Sequence, residues 1–224
     1  MKQGRVMRRA GRRIGVIGSG MIARTHIWHL IDSKRCEVAC VAAAHDESVT
    51  AVMRDLGIAQ GTTDYCALLE LPDIEAVVIA TPPYLHRRMF IDAIQAGKHV
   101  LIEKPLALTR ADCSAMVRAA AGRPDLVVCE ASCRHSRLNP KFKLVRDMIE
   151  AGKLGDVYLI HHTAVARQMR PGIEYHPSAK WFLDRRLSGG GPTLDWGPYD
   201  LSFHLGILGD RHTLRGFRSS TMRR

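Results

Sequence analysis

Residues 13–23 constrain this chain more than any other stretch. Arg13-Ile14-Gly15-Val16-Ile17 is a short apolar strand that runs straight into Gly18-Ser19-Gly20-Met21-Ile22-Ala23, and a helical pattern continues through about Ile31. Strand, G-x-G-x-x-A turn and helix, in that order, are the context that the dinucleotide fingerprint requires. Gly18 allows the tight turn, Gly20 lets a pyrophosphate approach the backbone, and Ala23 is small enough for the helix to pack close to the strand. Met21 and Ile22 open that helix, whose unpaired N–H groups face the phosphates. The plain alternative is an ordinary glycine turn, and the flanking strand and helix argue against it.

Strands and helices keep alternating downstream. A second strand spans about Glu37–Ala42, a helix Thr50–Leu56, a helical turn Tyr65–Leu69, and a fully apolar strand Ala76–Ala80. Thr81-Pro82-Pro83 then makes a rigid loop, and His86 opens a helix through Gln95 that Gly97 caps. Strands this uniformly apolar, separated by helices, indicate a parallel sheet covered on both faces. In such doubly wound α/β folds, ligands bind beyond the carboxyl ends of the strands. The second strand is therefore expected to end at a ribose. A carboxylate there would favour NAD; the chain has Ala43-Ala44-His45-Asp46, with Ala44 where the acid is expected. Its absence removes repulsion of a 2′-phosphate, and His45 can face one. This tilts the reading slightly to NADP, while Asp46 keeps NAD open.

The next strand, Val100–Ile102 within Gly97-Lys98-His99-Val100-Leu101-Ile102-Glu103-Lys104-Pro105, ends abruptly in a charged pair and a proline. Pro105 restricts the backbone of Lys104, so the lysine is held at the ligand edge. Lys104 reads as a catalytic residue beside a nicotinamide ring, or as a surface lysine after a strand. Thr109 then N-caps a helix to about Ala121, and Asp125–Ala131 is one more strand. The reading thus divides the chain into a basic tail over residues 1–12, a dinucleotide-binding domain over 13–131, and a partial second domain over 132–224. That last part has an amphipathic helix over Pro140–Ala151, with Phe142, Val145, Met148 and Ile149 on one face, and an expected antiparallel strand over Gly155–Ala166. Asp195-Trp196-Gly197-Pro198-Tyr199-Asp200 leads into a helix through Leu208.

The net charge of +11 suggests nucleic acid until it is located. Residues 1–13 carry six basic side chains and residues 211–224 five, with no acids in either, so residues 14–210 are neutral overall. Such tails touch anionic surfaces weakly, and no interleaving of aromatic and basic residues supports specific nucleic-acid recognition. No apolar run is long enough for a membrane span, and the basic N-terminus lacks the apolar core of an export signal. Six cysteines without a Cys-x-x-Cys pair fit a reducing cytoplasm. His161 and His162 are adjacent on an expected strand and so face opposite sides; neither has spacing to His176 or His204 that supports a metal. Arg134 and Arg137 are candidates to line a substrate cleft, or ordinary surface ions.

Five motifs in register resemble one family, the nicotinamide-dependent oxidoreductases named for glucose–fructose oxidoreductase, inositol dehydrogenase and MocA. They are Gly18-Ser19-Gly20-Met21-Ile22-Ala23; Thr81-Pro82-Pro83 with His86; Ala96-Gly97-Lys98-His99-Val100 through Glu103-Lys104-Pro105; Gly152-Lys153-Leu154-Gly155; and Gly189-Gly190-Gly191 with Asp195 and Gly197. The resemblance implies a Rossmann domain plus an α+β domain whose open sheet often forms an oligomer interface. It implies hydride transfer between the nicotinamide and a sugar-like or cyclic alcohol, and places cofactor contacts at Gly18, Gly20, Met21, Ile22, Ala23, Ala44, His45, Thr81, Pro82, His86, Glu103 and Lys104. The family's lysine falls on Lys104 and its aspartate on Asp195. Many members have histidine four residues later; Tyr199 stands there in this chain. A tyrosine titrates near 10 and needs help to act as a base at neutral pH, which a nearby lysine ammonium provides. Lys104 and Tyr199 are thus a workable acid–base pair, with Asp195 as orienter or as an N-cap. Members of the family usually exceed 300 residues, so the 224 residues here leave a second expectation open, a truncated, catalytically poor nucleotide-binding remnant. Apolar surface left by an incomplete sheet favours association.

Overall fold

The computed structural model describes residues 11–134, 138–161, 163 and 177–208. Six strands form one parallel sheet: β1 Arg12–Ile17, β2 Cys36–Ala42, β3 Gln60–Thr62, β4 Ala76–Ile79, β5 His99–Ile102 and β6 Val128–Glu130. Their order is β3-β2-β1-β4-β5-β6, which reverses direction between β1 and β4. The register lines up Ile17 with Ala42 on one side and Ile79 on the other, and Ile79 with Ile102. The turns after β1, β2, β4 and β5 therefore leave the sheet at one level, and the crevice at the reversal point is where this topology binds ligands.

Five helices cross between the strands: α1 Met21–Ser33, α2 Asp46–Leu56, α3 Tyr65–Glu70, α4 His86–Gln95 and α5 Arg110–Ala121. Alternate residues of each strand face opposite sides. Val16, Val38 and Val78 pack with Ala23, Ile27 and Val52 on one face. Ile17, Val77, Ile79 and Ile102 pack with Phe90 and Met116 on the other. Burying both faces is why these strands are apolar throughout. Two of these helix starts have side-chain caps: Asp64 accepts from Cys66 N–H at 2.8 Å and Thr109 from Asp112 N–H at 3.1 Å.

Several boundaries differ from expectation. The α2 helix begins at Asp46, four residues early, because His45 takes the extended N-cap conformation and two acids fill the first turn. Strand β3 was not expected; its pairing comes from β2, through Cys40–Gln60 and Ala42–Thr62. Arg12 is not tail but the first residue of β1, where it pairs with Glu75 at 2.6 Å. Arg13 meets Glu37 at 2.9 Å and Asp73 at 2.8 Å.

The chain separates into two compact units. One comprises residues 1–131 with 168–195, the other 132–167 with 196–224. The second contains α6 Pro140–Glu150, N-capped by the Asn139 side chain, which accepts from Lys141 N–H. Its Phe142 is buried and meets Phe203 edge to face at 5.7 Å between ring centres. The expected strand over Gly155–Ala166 is not there in its described part: residues 155–161 and 163 belong to no strand, and Tyr158 and Leu159 stand exposed. No partner strand exists for them among the described residues. Two further α-helices are α7 Arg185–Ser188 and α8 Gly191–Leu208. Among the described residues no helix is long and apolar enough to cross a membrane.

Candidate active site

The turn after β1 is built around close approach. Gly18 has φ +127°, and a Cβ there would collide with the Ala80 carbonyl at the end of β4. Its N–H donates to Ala42 O at 2.8 Å, so the turn is bonded to β2 while it touches β4. A side chain other than hydrogen has neither the conformation nor the room. Gly20 differs: a Cβ there would meet nothing within 4 Å. It is the N-cap of α1 with no side-chain cap bond, and Ala23 behind it is fully buried. An open approach to an uncapped helix N-terminus, backed by close helix–strand packing, fits the pyrophosphate of a dinucleotide. At the end of β2, Ala44 and His45 are exposed, and neither they nor Ala43 carries an acid; Asp46 and Glu47 follow in the first turn of α2.

The loops after β4 and β5 are tied by His86. Its side chain is completely buried; Nδ1 lies 3.0 Å from Pro105 O and 3.3 Å from Leu106 O, and Nε2 lies 2.9 Å from Thr81 O. Burial pushes its pKa below the ordinary histidine value, outweighing the carbonyls and the Glu103 carboxylate, which push it up. His86, expected among the cofactor contacts, is thus sealed from the surface and spent on joining the Thr81-Pro82 loop to the loop beyond Lys104. The peptide bond between Lys104 and Pro105 is cis.

Glu103 and Lys104 leave the carboxyl end of β5 in different directions. Glu103 is buried, its Oε2 accepting from Lys104 N–H at 3.1 Å and its Oε1 lying 2.8 Å from His26 Nε2. His26 comes from α1 and was not foreseen; it stands three residues after Ala23, on the neighbouring turn of the fingerprint helix, which is the signal that would have found it. The Lys104 side chain is 5% exposed and its ammonium donates to the Asp195 carboxylate Oδ1 and, at 2.8 Å, to the Asp195 carbonyl. The family resemblance put these two residues in one site, and they meet across 91 positions.

Asp195 arrives there through Gly189, whose φ is +79° and whose Cβ position lies 2.6 Å from Leu194 Cδ1 and 2.8 Å from Leu108 Cδ2. The turn packs against the segment after Pro105, and α8 starts at Gly191. Asp195 therefore lies inside the helix and is not its N-cap. Tyr199 follows one turn later, half-buried, with its ring edge-on to Trp196 at 5.6 Å. Among the other sequence candidates, His161 is exposed and contacts Thr163 Oγ1, and the His204 Nδ1 is 2.7 Å from Asp200 O. No grouping of metal-ligating side chains occurs among the described residues. Arg137, His162, His176, the Arg134 side chain, and the tails over 1–10 and 211–224 lie outside the described residues.

The model of an oxidoreductase family with an NAD-binding Rossmann fold, GFO/IDH/MocA, matches residues 12–131. The chain belongs to the GFO/IDH/MocA family. A GFO/IDH/MocA C-terminal domain model matches residues 142–223, so the resemblance carried by five short motifs extends over both parts. Relatives include a 1,5-anhydro-D-fructose reductase of Ensifer adhaerens, 32% identical over 88% of this chain and 57% of its own length. A dTDP-3,4-didehydro-2,6-dideoxy-alpha-D-glucose 3-reductase of Streptomyces violaceoruber is 34% identical over 94% of this chain and 59% of its own. Among GFO/IDH/MocA-like folds, a levoglucosan dehydrogenase solved with NADH and levoglucosan superposes with a TM-score of 0.75 at 24% identity, covering 88% of this chain and 54% of that one. The chain thus spans somewhat over half the length of the curated relatives it matches.

Proposed function

We propose that this chain serves hydride transfer between a nicotinamide cofactor and a sugar, inositol or related cyclic alcohol, with Lys104 and Tyr199 as the acid–base pair. The observation that carries the reading is the buried Lys104–Asp195 pair at the carboxyl end of β5. The bound nicotinamide would supply the hydride acceptor or donor. Oxidation of an alcohol requires a base for the hydroxyl proton as hydride leaves the same carbon. In this reading Tyr199 takes that proton, and the Lys104 ammonium stabilises the phenolate that does so. Asp195 holds the Lys104 ammonium and fixes its direction; its place on α8, one turn before Tyr199, lets one helix orient both partners. In the reverse direction Tyr199 returns the proton. The substrate class is supported by relatives named as sugar reductases and as inositol 2-dehydrogenases.

NADP is the preferred cofactor in this reading, by a modest margin. Its support is the run Ala42-Ala43-Ala44 at the ribose end of β2, with exposed His45 at the N-terminus of α2. A homo-oligomer and a reducing cytoplasmic setting belong to the same proposal; exposed Leu144, Tyr158 and Leu159 in the second unit and six cysteines without a Cys-x-x-Cys pair support them. The test is a thermal-shift titration with NAD and NADP, each oxidised and reduced, and then nicotinamide absorbance assays on sugars and polyols. Saturable stabilisation with turnover is expected. Ala44→Asp should weaken NADP(H) binding about tenfold by placing a carboxylate near the 2′-phosphate. Binding of cofactor without turnover of any alcohol would favour the second reading, a nucleotide-binding protein without this catalysis.

A further inference from the structure

We propose that His26 is a positioning residue of the nucleotide site: it holds the Glu103 carboxylate, and so ties the helix that would receive the pyrophosphate to the strand end that carries Lys104. The proposal rests on the reading that a nicotinamide nucleotide binds along this edge. Three observations carry it. Glu103 has its side chain 6% exposed, and a carboxylate so buried is stable only when donors surround it. Its two oxygens are served from different elements: Oε2 by the Lys104 N–H of its own strand end, Oε1 by His26 Nε2 from α1. Because a carboxylate only accepts, His26 must carry a proton on Nε2, so the contact also fixes the ring's tautomer.

Packing alone does not explain His26. The inward face of α1 is filled by Ala23 and Ile27, both completely buried. His26 lies beside that face and reaches across to a strand residue 77 positions away. The reach joins the two parts of the edge that a dinucleotide must touch together: the turn at Gly20, one and a half helical turns back along α1, and the backbone of Lys104, which the same Glu103 side chain grips. Cutting the tie frees α1 and the Lys104 segment to settle independently, which weakens binding of a ligand that spans both.

The test compares wild type with His26→Leu, His26→Gln, Glu103→Met and the double variant His26→Leu/Glu103→Met. NADPH and NADH dissociation constants are read by nucleotide fluorescence, and urea midpoints are read on the same apo proteins. His26→Leu should weaken binding about tenfold. His26→Gln, which keeps a donor at the position of Nε2, should recover it to within about threefold. In the Glu103→Met background, His26→Leu should cost less than about twofold, since the partner is already gone. Equal losses in both backgrounds, or no recovery with glutamine, would overturn the assignment. If wild type binds neither nucleotide, the proposed function fails by itself, and the tie is then judged from the apo cycle alone. Non-additive urea midpoints uphold the His26–Glu103 contact, and additive ones reject it.

Discussion

Two lysines bracket β5, six residues apart, and the protein uses them in opposite ways. Lys98 precedes the strand, at the edge away from the site. It is 6% exposed, and its ammonium donates to Leu71 O and Ile74 O, each at 2.8 Å. Lys104 lies just past the strand, equally withdrawn, and its ammonium donates to the carboxylate and carbonyl of Asp195. Neutral carbonyls satisfy the donors of Lys98 without matching its charge, and burial pushes its pKa below the ordinary lysine value, with only the Asp73 charge pulling it back. An ammonium so placed is a staple for the segment between α3 and β4. A carboxylate partner does more at Lys104: it matches the charge and fixes the direction of the ammonium. Burial of a cation is therefore no sign of function until its partner is known.

The largest expected effect separates the pair by activity. Lys104→Met should lower kcat/KM about 10²- to 10⁴-fold, the usual contribution of a positioned acid–base group. Lys98→Met should leave kcat/KM of the folded protein within about twofold. Steady-state assays with the best alcohol found, normalised to folded protein, read both; equal losses would erase the distinction drawn between the two ends of β5.

Next comes stability. Asp195→Asn leaves the Lys104 ammonium buried without its carboxylate, which should cost about 3–5 kcal/mol. Lys98→Met leaves two carbonyls without that donor but also removes a buried charge, so a smaller loss, about 1–3 kcal/mol, is expected. Urea denaturation of both variants orders them, and the reverse order would show that Lys98 is the more tightly held cation.

Neither role was legible from spacing. Both lysines adjoin the same apolar run; the family resemblance set Lys104 beside Asp195, and only the fold reveals that the segment after α3 comes to Lys98. The sheet itself was largely readable, because buried parallel strands are continuous apolar runs and the Gly18–Ala23 turn has one dominant use. Strand β3 was not, since Gln60-Gly61-Thr62 has no strand pattern and becomes a strand only beside β2. The start of α8 was misplaced because Gly189-Gly190-Gly191-Pro192 reads as loop, although proline suits the first turn of a helix. His26 and Glu103 form the contact least accessible to sequence reasoning: each sits inside a recognised motif, and their meeting depends on the β1–β4–β5 order.

The finest separation of the two lysines is by pH. Because burial depresses the Lys98 pKa, the folded chain binds that proton less tightly than the unfolded chain, whose lysine keeps the ordinary value near 10.5. Stability linked to Lys98 is therefore complete above about 10.5 and is lost as pH falls through the lower, folded value. Wild type should gain stability relative to Lys98→Met as pH rises through the alkaline window that ends near 10.5, by no more than about 1.4 kcal/mol per pH unit. Taking the difference between the two proteins cancels the tyrosines and thiols that titrate in the same window. Urea unfolding at four pH values across it is the measurement. Parallel curves would mean that the two carbonyls hold the ammonium as well as water does, and that Lys98 and Lys104 differ less in their electrostatics than in their neighbours.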